Sequence, residues 1–150
     1  MRSLLIPVLA CVMAMPLCSQ AADRPKAEAL VKDGIAFMKA NGKEKFLAEI
    51  SKGPGKFHVK PGGTLYLAAY DLEGTVLAHG ADAALLGLNR LNVKDPDGVQ
   101  YIKLQIATGQ QKGGGWVNFK RLNPQDRKIE AKTSYCLAAD GVVVFCGVYL

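Results

Sequence analysis

Residues 113–149 read GGGWVNFKRLNPQDRKIEAKTSYCLAADGVVVFCGVY, and this stretch decides the fold. Three strand-like runs, Trp116 to Leu122, Lys128 to Ala138 and Val142 to Tyr149, are separated by two turn signals. Asn123-Pro124-Gln125-Asp126 breaks the first gap, because proline presets a turn and Asn and Asp bond their own backbone. Asp140-Gly141 breaks the second, because both residues tolerate the positive φ of a tight hairpin. Runs adjacent in sequence mostly pair in space, so the segment predicts a three-strand antiparallel meander.

Working upstream, Thr64 to Tyr70 and Thr75 to Ala78 are two further strand-like runs, joined across Asp71-Leu72-Glu73-Gly74 as a hairpin. Ala81 to Pro96 reads as loop with helical turns. Asp95-Pro96-Asp97-Gly98 starts a helix from about Asp97 to Thr108, with Val99, Tyr101, Ile102, Leu104 and Ile106 on its apolar face. Ahead of the hairpin, Asp23 and Pro25 open a helix. Ala27, Leu30, Val31, Ile35, Phe37 and Met38 give it a helical period, and Asn41-Gly42 ends it. A second helix runs from about Lys43 to Ile50, and Gly- and Pro-rich Ser51 to Gly63 is loop. The expected class is α+β, with N-terminal helices packed on an antiparallel sheet.

Composition narrows the function. In 150 residues, 49% are apolar and 21% charged, which excludes a disordered tail. No apolar run reaches the length of a membrane-spanning helix. The formal charge is +6, but Lys and Arg are spread along the chain with no run of like charge above two. Nucleic acid is therefore a poor expectation, and a general attraction for anions a fair one.

The amino terminus reads as an export signal. Arg2 is a short positive region, Leu4 to Leu17 is apolar apart from Pro7 and Pro16, and Ser19 and Ala21 suit a signal-peptidase site. Residues 1–21 would be the signal peptide and 22–150 one domain; a lipid-anchored chain cut at Cys11 or Cys18 is the other reading. A periplasmic or secreted location follows. Two cysteines then remain, Cys136 and Cys146. With a two- or three-residue loop at Asp140-Gly141 they fall nearly opposite each other, so they form either one disulfide, contributing about 2.5–3 kcal/mol, or two buried free thiols.

No catalytic constellation is visible. The triple glycine at 113–115 precedes a strand rather than a helix, so it is no phosphate loop. His58 and His79 are the only histidines, no Gly-x-Ser-x-Gly exists, and no Cys/His cluster suits zinc or haem. The expectation is a protein that is not an enzyme and carries no cofactor. The polar side chains on strands are more informative. Trp116, Asn118 and Lys120 share one face of their strand, and Lys132 and Ser134 share one face of the next. Were both sets to face the last helix, they would line a pocket with cations, hydroxyls and aromatic walls, suited to a small carboxylate. The alternative is lysines in solvent and Trp116 in the core.

The ordered set Leu65 to Asp71, Gly74 to Gly80, Leu86-Gly87, Lys94 to Gly98, Gly115-Trp116-Val117, Asn123-Pro124 and Lys132 to Tyr135 resembles a single Cache domain, the extracytoplasmic sensor module of bacterial chemoreceptors and kinases. The helical stretch Ala27 to Ile50 resembles the family's leading helices. The resemblance implies a PAS-like sheet of about five strands behind a long N-terminal helix. It also implies reversible binding of a short organic acid such as acetate, propionate, lactate or pyruvate. By the same resemblance the ligand-binding residues would be His79, Tyr101, Trp116, Lys132 and Tyr135, with Tyr66 and Lys120 in support. Asn118 and Phe119 depart from the family, where an aromatic, often tyrosine, is common. With no membrane span expected in the mature chain, the domain would stand free and signal through a separate membrane receptor or kinase. Lys26 to Ala40 would serve either homodimer contacts or packing on the sheet. The competing reading is an accessory protein-interaction module with no small ligand.

Overall fold

Val142-Val143-Val144-Phe145-Cys146 is apolar without alternation, the pattern of a strand covered on both faces. The computed structural model, which describes residues 23–150, places this run inside the sheet. In chain order the elements are α1 (Asp23–Asn41), α2 (Lys43–Ser51), β1 (Ala68–Asp71), β2 (Val76–His79), a 3-10 turn (Ala83–Leu85), α3 (Tyr101–Gly109), β3 (Gly115–Leu122), β4 (Ile129–Ala139) and β5 (Val142–Tyr149). The five strands lie in the order β2-β1-β5-β4-β3, each neighbouring pair antiparallel. The meander and the hairpin thus join through β1 and β5, with Ala68 opposite Phe145. The α+β architecture expected from the sequence is present. Residues 1–22, on which the expected leader falls, lie outside the described residues.

The sheet separates two apolar layers. Ala27, Val31, Ile35 and Met38 recur every three or four residues along α1. With Phe46 and Ile50 of α2 they cover Ala69, Val142, Val144, Cys146 and Val148. Gly34 sits inside that stripe because a Cβ there would stand 2.5 Å from Leu67 Cδ1. On the opposite face, Tyr101, Ile102 and Ile106 of α3 pack on Ala68, Tyr70, Val117, Phe119, Cys136 and Val143.

Three expectations are corrected. The first strand begins at Ala68 rather than Thr64, because Leu67 donates its N–H to Phe57 O and accepts from Gly80 N–H instead of joining the ladder. The third helix begins at Tyr101 rather than Asp97. Asp95 Oδ1 accepts the N–H groups of Asp97 (2.9 Å) and Val99 (2.8 Å), holding residues 95–99 as a turn with Gly98 at φ +82. The third correction concerns the cysteines, both of which are free and buried.

Turn length explains the missing disulfide. Asp140 and Gly141, at φ 50 and 74, form a two-residue turn closed by the pair Ala139 and Val142. That register sets Cys136 opposite Phe145, and Cys146 opposite Tyr135. The two thiols are offset by one residue and point to opposite faces, Cys136 toward α3 and Cys146 toward α1. A three-residue turn would have set them face to face. Burial pushes both thiols up, Cys146 to about 12, so they stay protonated at neutral pH.

Candidate functional site

Cross-strand pairs on the α3 face line up in rows. The first row is Phe119, Lys132 and Tyr149; the second is Val117, Ser134 and Gly147. The third runs Cys136, Phe145, Ala68 and His79. Gly147 makes a hollow at the centre. A Cβ there would stand 2.5 Å from Lys132 Cε and 2.8 Å from Ser134 Oγ, so the lysine stem lies where a larger residue would project. Tyr66, just before β1, stands over the same hollow with its ring 4.9 Å from that of His79.

Lys132 is only 4% exposed. Its ammonium faces the rings of Tyr149 at 4.4 Å and Tyr66 at 5.4 Å, which attract a cation through their quadrupoles. Among the described residues no carboxylate pairs with it. Burial, helped by the nearby Arg121 charge, lowers its pKa to about 8. Two guanidiniums flank it. Arg121 Nη1 donates to Tyr101 Oη at 2.7 Å, and Arg90 Nη2 donates to the same oxygen at 3.1 Å. The Tyr101 ring stacks on Phe119 with centroids 4.5 Å apart and planes at 6°. Tyr101 therefore fixes both arginines from α3.

His79 serves two neighbours at once. Its Nδ1 accepts the N–H groups of Ala81 (3.2 Å) and Asp82 (2.9 Å), which leaves the proton on Nε2. Burial holds its pKa down to about 4, so it is a neutral donor at pH 7. Burial also pushes Tyr66 and Tyr70 up, Tyr70 to about 12, and both keep their hydroxyl protons.

These groups surround a recess of about 30 Å³, lined among others by Arg90, Arg121, Lys132, His79, Ser134 and Gln105. A single water needs roughly 10–15 Å³ on the same measure, so the recess has room for about two or three waters or a comparable headgroup. It shares Tyr66, His79, Tyr101, Arg121 and Lys132 with a wider cleft of about 830 Å³ whose walls include Leu85, Val93, Pro96, Leu122 and Ile129. Chemically, three cations and several neutral donors converge, and among the described residues no carboxylate lies on the recess wall. That arrangement stabilises an anion.

The structure brings His79, Tyr101, Lys132 and Tyr66 together at the recess. Lys120 reaches only the outer cleft, where its half-exposed ammonium pairs with Asp97 at 2.9 Å. Trp116 and Tyr135 are on the other face of the sheet. The Trp116 ring lies 4.4 Å under the Arg24 guanidinium of α1 and 5.5 Å from Tyr135, whose hydroxyl donates to Gly113 O at 2.7 Å. These two anchor α1 instead of lining the hollow. Asn118 is exposed. Tyr135 lies three residues from Lys132 on β4, so alternation puts it on the opposite face, and for Trp116 and Asn118 the reason is pairing parity. Phe119 sits opposite Lys132, so odd-numbered residues of β3 share a face with even-numbered residues of β4. The same parity brings in Arg121, which alternation alone could have found once the turn at 123–128 was measured. Arg90 and Gln105 come from a loop and from α3, and only the fold brings them to the hollow.

Comparison with known proteins bears on the family and the fold. The family model "Single Cache domain 2" matches residues 26–150. The sensor histidine kinase MctS of Rhizobium johnstonii is 36% identical over 87 residues, 57% of this chain but 19% of the kinase. The chain thus spans about a fifth of that curated relative. A methyl-accepting chemotaxis protein from Vibrio parahaemolyticus superposes with a TM-score of 0.71 at 22% identity, covering 86% of this chain and 89% of that one. A structure described as the basis for carboxylic acid recognition by a Cache chemosensory domain superposes with a TM-score of 0.62 at 22% identity, covering 87% and 90%. Among the described residues no helix is long and apolar enough to cross a membrane. With the model match running over α1, α2 and the whole sheet, this chain belongs to the single Cache domain 2 family.

Proposed function

We propose that this protein is an extracytoplasmic, sensor-type domain that binds a short organic acid in the recess of the α3 face. Its occupancy would be read by a kinase or chemoreceptor partner. One observation carries the reading: the buried ammonium of Lys132 has no carboxylate partner among the described residues and stands beside Arg121 and Arg90 on a hollow open to solvent. An unpaired buried charge is costly, and an anionic ligand relieves that cost. Lys132 would pair the carboxylate. His79 Nε2–H and the Ser134 and Tyr66 hydroxyls would complete the donor set, and Arg121, held by Tyr101, would add charge. Export through a leader at residues 1–21 fits such a role.

The test is a thermal-shift and calorimetric screen of two- to four-carbon acids against their neutral amides. A ligand at about 100 times its Kd stabilises the fold by roughly 2.7 kcal/mol. The reading requires acids to shift the melting temperature and amides to leave it unchanged. No shift with any acid, joined to stable capture of a protein partner, would favour an interaction module without a small ligand.

Gly147→Ala gives a second, local test. The added methyl meets the flexible end of Lys132, so the stem is displaced at a stability cost of about 1 kcal/mol. Carboxylate affinity is expected to fall roughly 10-fold or more, as for a weakened charge-assisted hydrogen bond. Calorimetry on the folded variant reads the change, and unaltered affinity would remove Lys132 from the binding set.

A further inference from the structure

Gln105, whose side chain lines the same recess, carries an unmet polar atom. The residue is 1% exposed, and its Oε1 is buried with no hydrogen-bond partner among the described residues. It lies one helical turn after Tyr101 on α3, so both side chains point from the helix into the hollow, and both line the recess. A buried carbonyl oxygen left without a donor is destabilising. A plain carboxylate cannot relieve it, because an ionised acid offers only acceptors. An ammonium donor on the ligand is disfavoured as well. Arg90, Arg121 and Lys132 all line this recess, and no carboxylate does. A neutral donor remains, and in a short organic acid the simplest one is a hydroxyl.

We infer that the recess selects a hydroxy acid of two or three carbons, its carboxylate on Lys132 and its hydroxyl donating to Gln105 Oε1. The inference rests on the carboxylate reading above and refines its ligand class. The recess volume, about 30 Å³, requires the carboxylate and the hydroxyl to sit close together, as on the short acids with adjacent groups. Fixed donors on one side and a fixed acceptor on the other also favour one enantiomer of a chiral hydroxy acid.

Calorimetry at pH 7 on the wild-type protein decides the matter with seven probes: glycolate against acetate, each lactate enantiomer against propionate, and pyruvate and alanine as controls. Glycolate and one lactate enantiomer are expected to bind about 10-fold tighter than acetate and propionate, the usual scale for one buried hydrogen bond. Pyruvate, which can only accept, should bind no better than propionate, and alanine should not bind. Gln105→Met, of similar volume without the acceptor, should bring the hydroxy acids to the level of their parent acids and leave acetate and propionate unchanged. Equal binding of hydroxy and parent acids, or a preference for pyruvate, overturns the hydroxyl assignment alone. A preference that survives in folded Gln105→Met overturns the role of Gln105. Failure of every acid to bind overturns the carboxylate reading itself and this inference with it.

Discussion

Lys132→Met is expected to make the ligand-free protein more stable and to abolish its binding of carboxylates. The two effects have one cause. Burial lowers the pKa of Lys132 from 10.5 to about 8 in the fold, so the unfolded chain holds its proton more tightly. That difference destabilises the native state by about 3 kcal/mol wherever both states are protonated, which is below pH 8. The cost declines as pH rises from 8 to 10.5 and is gone above that window. Methionine keeps most of the stem volume that lies over Gly147 and carries no charge. Urea unfolding at pH 7 should therefore show the variant ahead of wild type by up to about 3 kcal/mol, with the gap closing toward pH 10.5. Wild-type affinity for a carboxylate should move the other way, weakening as pH passes 8 and the free ammonium is lost. A variant no more stable than wild type at pH 7 would show that the charge is already compensated in the empty fold.

The acid limb of stability belongs in large part to His79. Its folded pKa of about 4 lies below the ordinary 6.5 because burial disfavours the imidazolium. The proton would also displace the acceptor role that Nδ1 plays for Ala81 and Asp82. Stability from this residue is complete above pH 6.5. It is lost as pH falls toward 4, where the unfolded chain gains the proton first, and the full loss amounts to about 3 kcal/mol. His79→Gln keeps an acceptor and a donor but does not titrate. Between pH 7 and 4 its unfolding free energy should decline less steeply than that of wild type, as urea titrations at half-unit steps can measure. Parallel decline of the two proteins would assign the acid limb to other groups. Lys132 and His79 thus act on stability in the same sense, each raising it as pH rises through its own window, because burial in the same hollow disfavours the charged form of both.

Much of the fold was legible because the signals are local. Asp140-Gly141 permits a positive φ at both positions, Asn41-Gly42 cannot continue a helix, and the valine run at 142–144 suits a strand covered on both faces. The resemblance to Cache domains also pointed to His79, Tyr101, Lys132 and Tyr66, all of which line the recess. Two expectations failed for the same reason. The pairing of Cys136 with Cys146, and the placing of Trp116 beside Lys132, each required a register one residue away from the true one, whereas Tyr135, three residues from Lys132 on β4, faces away by strand alternation alone. A strand has a side-chain period of two, so a shift of one residue exchanges the faces completely.

Element type, element order and the apolar faces of the helices follow from local chemistry, because a cap, a turn dipeptide or a repeat of 3.6 acts over a few residues. The composition of the hollow does not. It depends on whether turns hold two residues or three, on the meeting of β1 with β5, and on a loop arginine and a helix glutamine arriving over Gly147. Those are long-range pairings, which the chain settles only when both faces of the sheet are buried at once.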